Sequence, residues 1–191
     1  MPCESDNVSQ KMVTKTIITE LVYNCFGVDF DDGMISKDDF GKPFFNNIDA
    51  QISISHTKGL CAVALLFDGK KYTCNFKDNN LLVFDTNFKN IGIDVELIDY
   101  QQNTDKLKKI SNKYFSKKEI DSLLKIKSDS QLIEEFTKIW TIKESICKME
   151  GLGLKFISKA IVEDFEETCF FKSEKIEFVD KTFYLSVCTL K

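Results

Sequence analysis

Residues 91–98 read Ile-Gly-Ile-Asp-Val-Glu-Leu-Ile and form the clearest strand pattern in the chain. Apolar side chains alternate with Gly92, Asp94 and Glu96, so one face of the predicted strand is apolar and the other carries two carboxylates. A helical period precedes this strand at residues 9–26, and a longer one follows at residues 129–150. The last forty residues alternate like strands. This order of elements predicts an α+β protein with largely antiparallel sheets.

Shorter patterns fill in the rest of the chain. Residues 51–55 and 60–67 predict two strands joined by a turn at His56–Gly59, and residues 71–76 and 81–84 predict a further hairpin. Ser116 and Glu119 have the spacing of a capping box, which predicts the start of a helix.

The composition excludes several classes of protein. With 191 residues, 43% of them hydrophobic, the chain can form one good core or two small ones. A net charge of −4 argues against a general affinity for nucleic acid. None of the seven cysteines shows C-x-x-C spacing, which favours buried thiols in a reducing compartment. No segment resembles a signal peptide or a membrane span, so we expect a soluble, cytoplasmic protein that does not bind membranes.

Asp94 and Glu96 are the first candidate functional residues. Two positions apart on a strand, their carboxylates leave the same face and lie roughly 7 Å apart along the chain. Both side chains can therefore bind one hard cation, which prefers oxygen ligands. The same spacing is also typical of an ordinary strand whose outer face meets solvent.

The long predicted helix places charges against its apolar face. Lys143 falls in the middle of an apolar arc, where a charge is costly unless it is paired or lies at the rim of a cleft. Glu144 lies at the edge of this arc, one turn after Trp140 and one turn before Lys148. Glu144 and Lys148 also fit an ordinary surface ion pair.

Two further motifs precede the strand. His56, the only histidine, lies among hydroxyls and a lysine in the segment 53–59, a setting that suits a phosphate oxygen but also a structural turn. Gly41-Lys42-Pro43 is typical of a rigid turn.

In order, the motifs are Gly41-Lys42-Pro43, Ile54-Ser55-His56-Thr57, Gly92-Ile93-Asp94-Val95-Glu96 and Trp-Thr-Ile-Lys-Glu-Ser-Ile-Cys-Lys-Met-Glu-Gly-Leu-Gly-Leu at residues 140–154. This combination resembles the signature of the 4′-phosphopantetheinyl transferase superfamily. The closer likeness is to its single-chain branch, which includes the surfactin-synthetase-activating enzymes. The likeness covers residues 41–67 and 91–154.

The resemblance implies two similar, pseudo-symmetric α+β halves in one chain, each a small, mainly antiparallel sheet packed with helix, with a ligand cleft between them. We therefore expect an abridged N-terminal half at residues 1–90, with an inserted hairpin at 68–90, and a C-terminal half at 91–191 that carries the metal-binding carboxylates.

The resemblance also implies roles for individual residues. Asp94, Glu96 and Glu144 would bind Mg²⁺, with Mn²⁺ as an alternative. Glu144 would also act as the general base, and Lys148 would stabilise the leaving group. The residues implied to bind coenzyme A are Gly41 and Lys42 beside its adenine, and Ser55, His56 and Lys143 at its phosphates.

The implied reaction transfers 4′-phosphopantetheine from coenzyme A to a serine of an apo acyl- or peptidyl-carrier protein and releases 3′,5′-ADP. We expect a monomer. Six lysines between residues 106 and 118 fit either a docking surface for acidic carriers or a solvated helix face. The alternative function is a degenerate relative that binds coenzyme A or a carrier without reacting. The intact set of three carboxylates and Lys148 argues against this alternative.

Overall fold

The computed structural model describes residues 4–67 and 89–191, with side chains from residue 10 onward. The helices are α1 (Glu4–Phe26), α2 (Thr104–Tyr114), α3 (Lys117–Leu124), α4 (Asp129–Glu150) and α5 (Val162–Phe165). The strands are β1 (Ile35–Lys37), β2 (Pro43–Phe45), β3 (Ala50–Thr57), β4 (Leu60–Phe67), β5 (Asn90–Leu97), β6 (Cys169–Phe178) and β7 (Lys181–Leu190). The hairpin predicted at residues 71–84 lies outside the described residues.

Within the described residues the strands form two antiparallel sheets. The first has the order β1-β2-β3-β4 and the second the order β5-β7-β6. Ile18 and Val22 of α1 pack on Ile52 of the first sheet, and α4 packs on the second. The predicted α+β class is confirmed, and the arrangement is consistent with two similar halves, each a small antiparallel sheet with a long helix. The division at residue 90 stays a prediction.

Helix α4 lies directly on strand β5 because Gly92 has no side chain. A Cβ atom at Gly92 would lie 1.9 Å from the carbonyl oxygen of Ser145 and 2.4 Å from the amide nitrogen of Met149. Helix α4 then ends at Gly151, whose φ of 72° is left-handed and therefore favours glycine. The close approach brings the side chains of α4 onto the same face as Asp94 and Glu96.

Strand β3 connects the two sheets. Its Ser53 and Ser55 hydroxyls accept hydrogen bonds from the amides of Ile93 (3.0 Å) and Val95 (3.2 Å) on β5. These contacts satisfy amides on the edge of β5, whose pairing within its own sheet is with β7. Apolar packing continues across this junction, where Ile91, Ile93 and Val187 meet Ala62, Ala64 and Leu66 of β4. The halves therefore share a core at β5.

Most predicted element boundaries are close to the observed ones. Helix α4 has the predicted limits, and the capping box of α3 is confirmed: the Ser116 amide donates to Glu119 and the Glu119 amide donates to Ser116. The predicted turn at His56–Gly59 begins too early. Strand β3 continues to Thr57, so His56 lies within the strand. None of the helices in the described part of the chain is long and apolar enough to cross a membrane.

Candidate active site

Three carboxylates converge where β5 meets α4. Asp94, Glu96 and Glu144 each offer one oxygen, and these three oxygens lie within 4.8 Å of one another. The strand supplies the first two because positions two apart share a face. The helix supplies the third because Gly92 allows α4 to approach. Side chains far apart in sequence thus form one acidic cluster.

Asp94 is the most enclosed member of the cluster, with 1% of its surface exposed. Its Oδ1 atom accepts hydrogen bonds from the Ser55 hydroxyl and from the Lys148 ammonium, both at 2.7 Å. Its Oδ2 atom is buried and has no hydrogen-bond partner among the described residues. A buried carboxylate oxygen without a partner is costly. A cation bound between the three carboxylates would remove that cost.

The raised pKa values of Glu96 and Glu144 also indicate a site that favours a bound cation. Burial, together with the charge of Asp94, raises the pKa of Glu96 to about 7 and that of Glu144 to about 8. Hydrogen bonds from Thr57 to Glu96 (3.1 Å) and from Trp140 to Glu144 oppose these shifts only in part. Three hard oxygen donors that crowd one another are a suitable ligand set for Mg²⁺ or Mn²⁺.

Within the described residues, Lys148 is the basic side chain that forms an ion pair with the cluster. It lies one turn after Glu144 on α4, pairs with Asp94, and keeps 29% of its side chain exposed. An anionic ligand that enters from solvent can therefore approach this partly exposed side chain. The site combines a metal-type carboxylate set with an accessible positive charge.

Ser55 and His56 are neighbours in sequence but face opposite ways. Ser55 is buried at the cluster, where its hydroxyl donates to Asp94. Alternation along β3 directs His56 to the other face of the strand, and its side chain is exposed. The structure therefore brings Ser55 to the carboxylates and leaves His56 outside the cluster. Their contacts with coenzyme A stay predictions.

Lys42 connects the N-terminal half to the end of α4. Its ammonium donates to Asn90 Oδ1 and to the carbonyl oxygen of Met149, both at 2.7 Å, and burial lowers its pKa. The adjacent Gly41 has a φ of 86°, which lets the turn before Lys42 form. Lys42, Gln51, Asn90 and Glu150 line a pocket of about 330 Å³ between the two halves.

Lys143 is not part of the carboxylate cluster. Its side chain is fully buried, and its ammonium lies 3.1 Å from Glu119 and 2.6 Å from the carbonyl oxygen of Ala160. These partners explain how a charge is tolerated on the apolar face of α4, since a buried charge requires pairing. A contact between Lys143 and a phosphate stays a prediction.

Thr57 and Asn90 contact the site but were not identified in the sequence. The signal was available for both. Thr57 follows Ser55 by two residues, and Asn90 precedes Asp94 by four, so each shares a strand face with a residue that was identified.

The six lysines at 106–118 lie exposed on α2 and α3, where Lys108 pairs with Asp105 and Lys118 with Glu163.

Comparisons with known proteins identify the family. The chain is 27% identical over 154 residues to the 4′-phosphopantetheinyl transferase Sfp of Bacillus subtilis (strain 168), an alignment that covers 78% of this chain and 55% of that protein. The chain thus spans a little over half the length of this relative. The model of the ACPS family, the 4′-phosphopantetheinyl transferase superfamily, matches residues 90–186, just over half of the chain, including all three carboxylates and Lys148. The chain belongs to the 4′-phosphopantetheinyl transferase superfamily.

Proposed function

We propose that this protein transfers the 4′-phosphopantetheine group of coenzyme A to a serine of an apo acyl- or peptidyl-carrier protein in a reaction that requires Mg²⁺. The observation that carries the proposal is the cluster of Asp94, Glu96 and Glu144 with its unpartnered buried oxygen, in a chain of this superfamily. A protein that only binds its ligands has no need of three converging carboxylates beside an accessible lysine.

The transfer itself replaces one oxygen–phosphorus bond with another. The serine oxygen forms a bond to the phosphorus that carries the pantetheine arm, the bond from that phosphorus to the bridging oxygen breaks, and 3′,5′-ADP leaves. Glu144, which has one carboxylate oxygen in the cluster, would accept the serine proton directly or through a water molecule. Lys148 would stabilise the charge that develops on the leaving phosphate. A bound Mg²⁺ would supply further positive charge at the pyrophosphate.

We place the adenosine end of coenzyme A in the pocket beside Lys42. Asn90, which lines the pocket, and Asp94 are four residues apart on β5, so their side chains share one face at roughly 13 Å along the strand. A nucleotide lying along this face would extend from the pocket to the carboxylate cluster. Lys42 and Gly41 would then lie at its base and Lys148 at its phosphates.

The test is the mass of an apo carrier protein after incubation with the protein, coenzyme A and Mg²⁺. We expect a gain of one phosphopantetheinyl group that EDTA prevents. Acyl- and peptidyl-carriers are tested in parallel, because the proposal covers both classes. No gain with any carrier, while coenzyme A still binds, would support the non-catalytic alternative instead.

Matched variants link the reaction to the cluster. Glu144→Gln and Asp94→Asn should each reduce transfer by at least about 100-fold, since each removes a charge from the cluster. Glu135→Gln is the control, because Glu135 lies on the same helix and pairs only with Lys138 at the surface among the described ion pairs. Equal activity of Glu144→Gln and the wild type would contradict the assignment of Glu144. That the protein acts as a monomer is also part of the proposal, to be measured by light scattering.

A further inference from the structure

We infer that Ser55 and Thr57 form a hydroxyl clamp that orients Asp94 and Glu96, so that strand β3 of the N-terminal half sets the geometry of a cation site whose ligands all come from the C-terminal half. Ser55 and Thr57 are two residues apart on β3, as Asp94 and Glu96 are on β5. Ser55 donates to Asp94 Oδ1 at 2.7 Å, and Thr57 donates to Glu96 Oε2 at 3.1 Å. The hydroxyls on β3 and the carboxylates on β5 therefore have the same two-residue spacing, so each hydroxyl meets one carboxylate.

The clamp distinguishes the two oxygens of each carboxylate. Asp94 Oδ1 receives both the Ser55 hydroxyl and the Lys148 ammonium, whereas Oδ2 is buried with no partner among the described residues. Glu96 Oε2 accepts a hydrogen bond from Thr57, so a cation would bind through the other oxygen, Oε1. Each hydroxyl thus holds one oxygen of a carboxylate and would leave the other oxygen for a cation.

The backbone fixes the clamp in turn. The Ser55 hydroxyl also accepts a hydrogen bond from the Val95 amide at 3.2 Å, so its oxygen is held between the backbone of β5 and the Asp94 carboxylate. Mutation of a side chain that orients a metal ligand without touching the metal commonly lowers metal affinity by about 10- to 100-fold. Ser55 and Thr57 are positioning residues in this sense.

Strand β3 itself offers a matched control. Ser53 accepts a hydrogen bond from the Ile93 amide at 3.0 Å in the same way that Ser55 accepts one from Val95, but no carboxylate contact is found for it in the described structure. Ser53→Ala therefore removes the same kind of hydrogen bond between β3 and a β5 amide as Ser55→Ala does, but it removes no contact with a carboxylate. A purely structural role for these hydroxyls predicts equal effects of the two substitutions.

The experiment measures binding of Mn²⁺ alone to the full chain, by electron paramagnetic resonance of the free ion, with no coenzyme A or carrier present. We expect Ser55→Ala and Thr57→Val to weaken binding by about tenfold or more. Thr57→Ser, which keeps the hydroxyl, should bind within about threefold of the wild type, and Ser53→Ala should bind like the wild type. Glu96→Gln serves as the variant that loses a ligand.

Several results would overturn the inference. These are wild-type affinity in Thr57→Val, equal losses in Ser53→Ala and Ser55→Ala, no rescue by Thr57→Ser, or a wild-type protein that does not bind Mn²⁺ through Glu96. The inference deepens the proposed function by explaining how its cation site is oriented, yet the two can fail separately. A wild-type protein that binds Mn²⁺ through the clamped carboxylates but transfers nothing overturns the proposed function and supports the clamp.

Discussion

Gly92 gives the sharpest structural prediction, because a single methyl group there would collide with backbone. In Gly92→Ala the new Cβ atom would lie 1.9 Å from the Ser145 carbonyl oxygen and 2.4 Å from the Met149 amide nitrogen. Neither atom belongs to a side chain that can rotate away. The helix and the strand must therefore separate, or one of them must deform.

The required shift can be worked out from these distances. Non-bonded heavy atoms rest at about 3.5 Å or more, so α4 must move from β5 by roughly 1.5 Å. Overpacking of this kind costs about 1–3 kcal/mol of unfolding free energy, and backbone contacts place this case at the upper end. The same shift moves Glu144 and Lys148 relative to Asp94. Misplacement by about 1 Å can reduce a catalytic rate by about 100-fold.

Two assays check this prediction. Urea unfolding should show a loss of about 3 kcal/mol, and carrier modification should be about 100-fold slower at a temperature where the variant is still folded. Gly33→Ala is the control, because the one close contact of its Cβ would be with the carboxylate end of the Asp31 side chain and not with backbone. A Gly92→Ala protein within about 1 kcal/mol and threefold of the wild type would refute the packing of α4 on β5 described above.

Two further predictions concern the buried charges. The folded-state pKa values of Glu96 and Glu144 are raised from 4.5 to about 7 and about 8, respectively. Between pH 4.5 and these raised values, the metal-free folded protein therefore binds more protons than the unfolded chain. Their contribution to stability is therefore fully present below about pH 4.5 and is lost as the pH rises through 7 and 8. Urea unfolding in EDTA should show the wild type losing stability from pH 5.5 to 8.5 relative to the Glu96→Gln/Glu144→Gln double variant, and the opposite trend would contradict the shifts. Lys143→Met leaves Glu119 buried without its cation, so we expect a loss of about 3–5 kcal/mol, partly recovered in Lys143→Met/Glu119→Gln. A loss below about 1 kcal/mol in urea unfolding would show that the pair does not hold α4.

The sequence predicted those parts of the site that depend on local periodicity. Asp94 and Glu96 share a face because a strand repeats every two residues, and this was evident before the fold was known. The position of Glu144 relative to Lys148 follows equally from the helical repeat. The same rule also predicts that Ser55 and His56 point apart once the strand is extended to Thr57. The sequence interpretation ended that strand at residue 55, and it was the resemblance to the superfamily that assigned both residues to the phosphates of coenzyme A, an assignment that stays a prediction.

Contacts between distant elements were not predictable in the same way. Lys143 was recognised as an anomaly on an apolar face, but its partner Glu119 lies 24 residues earlier, at the capping box of another helix. Lys42 likewise interacts with the end of α4, 107 residues later in the chain. No local pattern encodes such a pairing. Each depends on how helices and sheets pack once their faces have formed.

The candidate site takes its carboxylates from one part of the chain and the hydroxyls that orient them from another. The family match begins at residue 90 and contains every carboxylate, the lysine, and the glycine that brings them together. The hydroxyls that orient Asp94 and Glu96 come from residues 55 and 57, outside that match and in the other sheet. Without β3, Asp94 Oδ1 would keep Lys148 but lose Ser55, and Glu96 Oε2 would lose Thr57, even though every carboxylate remained. The proposed cation site is therefore a property of the junction between the two sheets, and changes at that junction should alter metal affinity before they alter the fold of either sheet.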